Sequence, residues 1–247
     1  MKIDILVPQS LNDITLEQYQ KFEAINTDDN SNTSFLLHKM VEIFCNLDLK
    51  DIAKIKFTYV QQIINDLNVM FDQDPKLIPT FDLNGVTYGF IPKLDDMTLG
   101  EYIDLDNTLS DWQTMHKAMS VLYRQVTVKK DNRYQIEDYE GSKHAEAFKQ
   151  MPLDVVMGCL VFFLQFKQRV ATNYPELFEQ GNAGQPDYGT TANFGSKWGW
   201  MQSVYGLAKG DVTKFDEVTK LKAHTAFVYL AFEKEKNELE RKLINKK

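Results

Sequence analysis

The sequence predicts a mainly α-helical fold with small β-hairpin elements (α+β), arranged as a helical core domain with a small helical C-terminal unit. Three observations predict it. Apolar residues recur at helical spacing along much of the 247-residue chain. Three of the helical runs open with a Thr-x-x-Gln/Glu cap, Thr15 with Gln18, Thr58 with Gln61 and Thr98 with Glu101. Asn84-Gly85 lies between Phe81-Asp82-Leu83 and Val86-Thr87-Tyr88, and this dipeptide suits a type I′ hairpin turn because both central residues need positive φ.

In chain order, Ile3, Ile5 and Val7 alternate with polar residues and stop at Pro8, the pattern of a short half-buried strand. A helix then starts at the Thr15 cap, with Ile14 and Tyr19 placed as a hydrophobic staple. Residues 35–46 put Leu36, Met40, Ile43 and Phe44 on one face, and residues 58–71 form another helix in which Thr58 and Gln61 read as its cap. After the hairpin, Asp96-Met97-Thr98-Leu99-Gly100-Glu101-Tyr102 echoes Asp13-Ile14-Thr15-Leu16-Glu17-Gln18-Tyr19, and a strand ending in proline is expected before each. A duplicated element and a chance echo of two common caps both account for this. Residues 111–123 place Trp112, Met115, Met119 and Leu122 at helical spacing, and residues 126–128 and 134–136 suggest a second hairpin around residues 129–133. Pro152 suits the first position of a long helix over residues 153–171, which is apolar nearly all round and so is expected to be central.

The glycine, proline and small polar residues from Gly181 to Thr191 predict a flexible linker over residues 181–196. It would separate a domain at 1–180 from an extension at 197–247. In the extension, residues 197–207 and 212–220 read as short helices, with Gly210 as a stop and Asp211 as the next N-cap. A last helix over residues 223–244 is apolar early, with Phe227, Leu230 and Phe232, and charged late. Residues 197–247 hold 11 Lys and Arg against 7 Asp and Glu, so this part carries +4 within a chain of net charge −7.

That acidic balance argues against a nucleic-acid partner, which would call for a basic surface. The most apolar segment, residues 153–166, is shorter than the roughly 20 residues a bilayer requires, so no membrane role is expected. The N-terminus lacks the pattern of a secretion signal. Cys45 and Cys159 lie far apart among apolar neighbours and are expected as buried, reduced thiols. His38, His116, His144 and His224 are scattered, with no Cys-x-x-Cys or His-Glu-x-x-His, so no metal is expected. Phosphate-binding glycine loops and the Gly-x-Ser-x-Gly elbow are missing, so no cofactor and no catalytic residue are expected. Asp104-Leu105-Asp106-Asn107 starts like a calcium loop, but the required glycine and terminal glutamate do not follow. Asp95, Asp96, Glu101, Asp104 and Asp106 fit caps and exposed helix faces.

The phrases Phe90-Ile91-Pro92, Met97 to Leu105, Met115 to Met119, Leu122-Tyr123-Arg124 and Met151 to Asp154 resemble tail-assembly proteins of tailed bacteriophages, the family of tail assembly chaperones and baseplate hub assembly proteins. Trp198-Gly199-Trp200, Leu207 to Asp211, Phe215 to Val218 and Phe227 to Leu230 look like the C-terminal extension of long tail chaperones. The resemblance implies a non-catalytic, helical protein whose first part holds the tape-measure protein and whose second part recruits tail-tube subunits, in the host cell cytoplasm. It equally admits a structural baseplate or tail component kept in the virion, and it leaves homo-oligomerisation open. Recognition of helical partners needs only apolar surface, and adaptable methionines such as Met115, Met119, Met151 and Met157 suit such surfaces or a core. Trp198, Trp200, Tyr205 and Phe215 are the candidate partner-binding residues, and the core of their own unit is the more ordinary place for such side chains.

Overall fold

A computed structural model describes residues 5–27, 33–131, 133–178 and 197–245. The described chain is mainly α-helical with one small antiparallel sheet, and it divides into two compact units. Unit 1 is Met1–Phe90 with Thr108–Phe163, and unit 2 is Ile91–Asn107 with Leu164–Lys247. The expected linker at 181–196 lies outside the described residues. The segment beyond residue 197 does not stand alone, since unit 2 also takes in Ile91–Asn107 and the chain from Leu164 onward.

Of the expected strand, Ile3 lies outside the described residues, and Ile5 and Val7 are not in a strand. Residues 5–9 join no ladder among the described residues, and Leu6 is exposed. Alternation alone does not make a strand where no neighbour offers backbone partners, and here the Gln9 and Ser10 amides donate to the Asp13 carboxylate at 2.9 and 3.1 Å, capping a 3₁₀ turn at Leu11–Asp13. Helix α1 (Leu16–Glu23) follows with the predicted capping box: Thr15 accepts from the Gln18 amide at 3.2 Å and its own amide donates to the Gln18 side chain at 2.9 Å. Helix α2 (Ser34–Phe44) buries Leu36, Met40, Val41 and Phe44 as its 3.6-residue period dictates, and a short α3 (Leu49–Ile52) follows. Helix α4 (Phe57–Phe71) starts earlier than expected, because the Lys56 carbonyl already accepts from Tyr59 and Val60. Thr58 therefore sits inside the first turn and is not the cap.

Strands β1 (Thr80–Leu83) and β2 (Val86–Phe90) form the predicted hairpin, with Asn84 and Gly85 at φ 52° and 80°. In unit 2, the chain after the hairpin forms α5 (Leu99–Thr108). Back in unit 1, helix α6 (Met115–Leu122) follows a 3₁₀ turn at Trp112–Thr114 and stops where Tyr123 becomes extended and opens β3 (Tyr123–Lys130). Its partner is β4 (Arg133–Ile136). The two hairpins join into one sheet of order β1-β2-β3-β4, a union that two separate turn signals do not specify. At Gly89 the lack of a side chain lets the Tyr134 ring lie against β2, where its hydroxyl donates to the Phe90 carbonyl at 2.8 Å. Behind the sheet Phe81, Tyr88, Tyr123 and Phe148 pack at ring separations of 4.9–6.1 Å.

Helix α7 (Leu153–Asn173) contributes its residues through Phe163 to unit 1 and the rest to unit 2. It is not buried all round as expected. Val155, Val156, Cys159 and Phe163 are buried, whereas Val161 and Leu164 are exposed, so apolar composition exceeds what its neighbours cover. In unit 2, α5, the end of α7, α8 (Pro175–Phe178), α9 (Trp200–Leu207), α10 (Phe215–Thr219) and α11 (Ala223–Ile244) surround an aromatic cluster. Phe227 lies 4.9 Å from Tyr102, 5.5 Å from Tyr174 and 5.6 Å from Phe178 between ring centroids.

The echo between Asp13–Tyr19 and Asp96–Tyr102 extends to tertiary structure. In unit 1, Thr15 bridges Pro152: the Leu16 amide donates to the Met151 carbonyl at 2.9 Å and the Leu153 amide to the Ile14 carbonyl at 2.8 Å. In unit 2, Thr98 bridges Lys222: the Leu99 amide donates to the Leu221 carbonyl at 2.7 Å and the Ala223 amide to the Met97 carbonyl at 2.8 Å. Each bridge ties the N-terminus of a capped helix to the N-terminus of a long one, so amides orphaned at both helix starts find carbonyl partners. In each unit a tyrosine near the start of the capped helix meets a tryptophan edge to face, Tyr19 with Trp112 at 4.6 Å and Tyr102 with Trp200 at 5.7 Å.

Candidate partner-binding surface

Trp200 fixes the orientation of α9. Its indole N–H donates to Asp106 at 2.9 Å, and Asp106 also takes the Lys167 ammonium at 2.7 Å. Its ring meets Tyr102, and Phe227 lies 6.2 Å away. With that edge anchored, the 3.6-residue period buries Val204, and Ala208 just past the helix is buried too. Met201 and Tyr205, one turn apart, are left 48% and 57% exposed. Gly199, at φ 42°, breaks the helical path ahead of Trp200. Trp198 on the other side of that break is also exposed, with the Lys197 ammonium 5.0 Å from its ring centroid.

The four sequence candidates therefore separate. Trp198 and Tyr205 face solvent, Trp200 packs into unit 2, and Phe215 at the start of α10 is half-buried. Met201 was not among the candidates. Its spacing of four residues from Tyr205 on the same helix is the signal that identifies it. Gly210, at φ 80°, closes the far end of α9 as predicted, and the Asp211 carboxylate caps the next turn by accepting from the Thr213 amide at 3.0 Å. The Thr213 hydroxyl, followed by that amide, holds the Asp211 carboxyl below its usual pKa.

The carboxylates and histidines are dispersed into local roles. Glu101 is the buried half of the second capping box, accepting from the Thr98 amide at 2.6 Å, and Asp96 pairs with Lys222 at 2.5 Å. His116 is buried in unit 1 with its Nδ1 3.1 Å from the Gln20 amide and its Nε2 3.5 Å from Glu146. Burial, followed by the nearby Lys149, lowers its pKa. Cys45 and Cys159 are buried free thiols, and burial pushes Cys45 up to about 11 and Cys159 higher still. Among the described residues no group of three or more His, Cys, Asp or Glu is placed to hold a metal.

The described residues include two shallow clefts. One of about 140 Å³ in unit 2 lies over Phe166, Val170 and Phe227, with Arg169, Tyr174 and His224 at its edge. The other, about 210 Å³ in unit 1, is polar, between Arg124, Glu137, Lys143 and His144. Both are small beside the roughly 300–1,000 Å³ of ordinary ligand pockets. The arrangement offers exposed aromatic and thioether surface on a firmly anchored helix, which is suited to covering apolar residues of another chain. No family model, no curated protein and no solved structure matches this chain.

Proposed function

We propose that this protein is a non-catalytic bacteriophage tail assembly chaperone that holds the tape-measure protein and recruits tail-tube subunits in the host cytoplasm. The sequence phrases that resemble tail-assembly proteins supply the identity of the partners. The structural observation that supports the reading is the exposure of Met201 and Tyr205, with Trp198 nearby, on a helix anchored by Trp200. Clustered large apolar side chains on an ordered surface mark a place where a partner binds. Methionine and tyrosine supply contact area that adapts to a helical partner. No cofactor, metal or nucleotide enters the proposed activity.

The test is co-expression of the chain with the tape-measure and tail-tube proteins of its own genome, then pull-down and mass spectrometry of purified particles. Capture of either protein, with the chain missing from particles, supports the chaperone. Stoichiometric retention in particles would make it a structural tail or baseplate component, and capture of neither, with no retention, would overturn both readings.

A further inference from the structure

We propose that the C-terminal helix α11 pairs with α11 of a second copy of the chain, antiparallel, through an apolar seam on its outer face. Ala223, Ala226 and Phe227 bury the inner face of α11 in unit 2. On the other side Tyr229, Phe232, Leu239 and Leu243 are 42%, 58%, 58% and 57% exposed. With Lys236 they step by 3, 4, 3 and 4 residues, the a and d positions of two heptads. This spacing keeps one stripe facing one partner helix over about 21 Å. From Lys234 onward every described residue of the helix is exposed, so among the described residues nothing covers the seam.

The charges beside the seam identify the occupant and its direction. With Tyr229, Lys236 and Leu243 at a and Phe232 and Leu239 at d, the flanking residues are Glu233, Glu235, Glu240 and Lys242. A parallel pair would set Lys236 against Lys236 in one core layer and Glu235 against Glu240 on both flanks, which is repulsive throughout. An antiparallel pair instead sets Phe232 against Leu243 and Lys236 against Leu239, each twice by symmetry. It also places Glu235 beside Lys242 twice by symmetry on one flank and brings the Lys236 ammonium within reach of the other copy's Glu240, with its stem along the seam. Glu233 beside Glu240 is the one unfavourable flank, and Lys236 moderates it. The antiparallel arrangement is thus self-complementary where the parallel one is not. Two heptads cover area at the low end of specific interfaces, on the order of 1,000 Å² in total, so the expected association is in the micromolar range.

Sedimentation equilibrium of the full chain across about 1–200 μM should show a concentration-dependent monomer–dimer equilibrium. Leu239→Glu should weaken it at least tenfold. Because Leu239 is exposed, helical circular dichroism should be unchanged. Glu235→Lys and Lys242→Glu should each weaken dimerisation severalfold, and the double variant should restore it, because the antiparallel pair exchanges one opposite-charge contact for another. A chain that stays monomeric over the whole range, insensitivity to Leu239→Glu, or a tighter dimer with Glu235→Lys would each overturn the proposal. The last outcome is the signature of parallel pairing, since the introduced lysine would then meet Glu240.

Discussion

Unit 1 and unit 2 each join a Thr-capped helix to a long helix through one short bridge, and each seats a tyrosine on a tryptophan, yet the chemistry around the two bridges differs. In unit 1 the cap is closed by neutral Gln18, which donates its side-chain amide to the Ile43 carbonyl at 2.9 Å. In unit 2 it is closed by Glu101, a buried carboxylate bound to both the amide and the hydroxyl of Thr98. Unit 1 surrounds its bridge with helices, a sheet and aromatic residues. Among the described residues, unit 2 has helices and aromatic residues around its own, and both units leave large apolar side chains exposed, Phe57 and Tyr59 in unit 1 and Met201 and Tyr205 in unit 2. The bridge is thus the device common to both units, and the cap chemistry and the secondary structure built around it are what differ.

The largest expected effect separates packing in unit 1 from everything else. Gly158 on α7 lies so close to the Lys76 carbonyl and the Leu77 amide that an added methyl group collides with backbone. Gly158→Ala should destabilise the chain by about 3 kcal/mol, seen in urea unfolding. A close backbone contact in unit 2 is looser: a methyl group at Gly100 on α5 would sit 3.2 Å from the Thr219 carbonyl. Gly100→Ala should therefore cost far less, and an equal loss at both positions would break the contrast.

The two caps should differ by a smaller margin. Glu101→Ala should cost about 2 kcal/mol, because it removes a charge-assisted bond and leaves the Thr98 amide bare. Gln18→Ala should cost about 1 kcal/mol. Comparison of the two unfolding midpoints measures the difference, and the reverse order would show that charge does not govern these caps.

A further effect is confined to unit 1. His116 has a folded pKa below the ordinary value of about 6.5, chiefly because burial disfavours the charged ring. Its contribution to stability is present above about pH 6.5 and is lost as pH falls through its lowered folded pKa, since the unfolded chain binds the proton first. Thermal midpoints should fall on acidification below that pH, and His116→Gln should flatten the dependence. An unchanged profile in the variant would assign the acid sensitivity elsewhere.

The smallest effect on stability is expected at α9. Tyr205→Ala and Met201→Ala should each lower stability by less than about 0.5 kcal/mol, yet weaken capture of the tape-measure or tube protein. A stability loss as large as that of Trp200→Ala would show that these side chains are packing residues.

Much of the fold was legible in the residues. The Thr15 and Thr98 boxes, the Asn84-Gly85 turn, the Gly210 stop, the Asp211 cap and the bounds of α11 depend on interactions within a few residues, and such local chemistry is written in residue order. The expected strand before Pro8 finds no ladder over residues 5–7, where the pattern was present but the backbone partners were not, whereas Thr58 is not the cap because the Lys56 carbonyl already accepts the first helical bonds. At the candidate surface, residue order placed Trp198, Trp200, Tyr205 and Phe215 near one another in the chain but did not give their directions. Helical phase relative to the anchored Trp200 decides which side chain points outward, and it placed Met201 beside Tyr205.

Residue order alone accounts for the helical character, the hairpins and the repeated capped helix. Packing between distant segments chose the rest: that Thr15 meets Pro152 and Thr98 meets Lys222, that two hairpins make one sheet, and that residues beyond 197 fold with Ile91–Asn107. In the chain order α1, α5, α7, α11 the first pairs with the third and the second with the fourth, so the pairing is crossed. Such contacts are selected by burying side chains from segments far apart in sequence, and the entropic cost of closing a long loop grows only slowly with its length. Chain order therefore carries little information about which distant segment will satisfy a helix end.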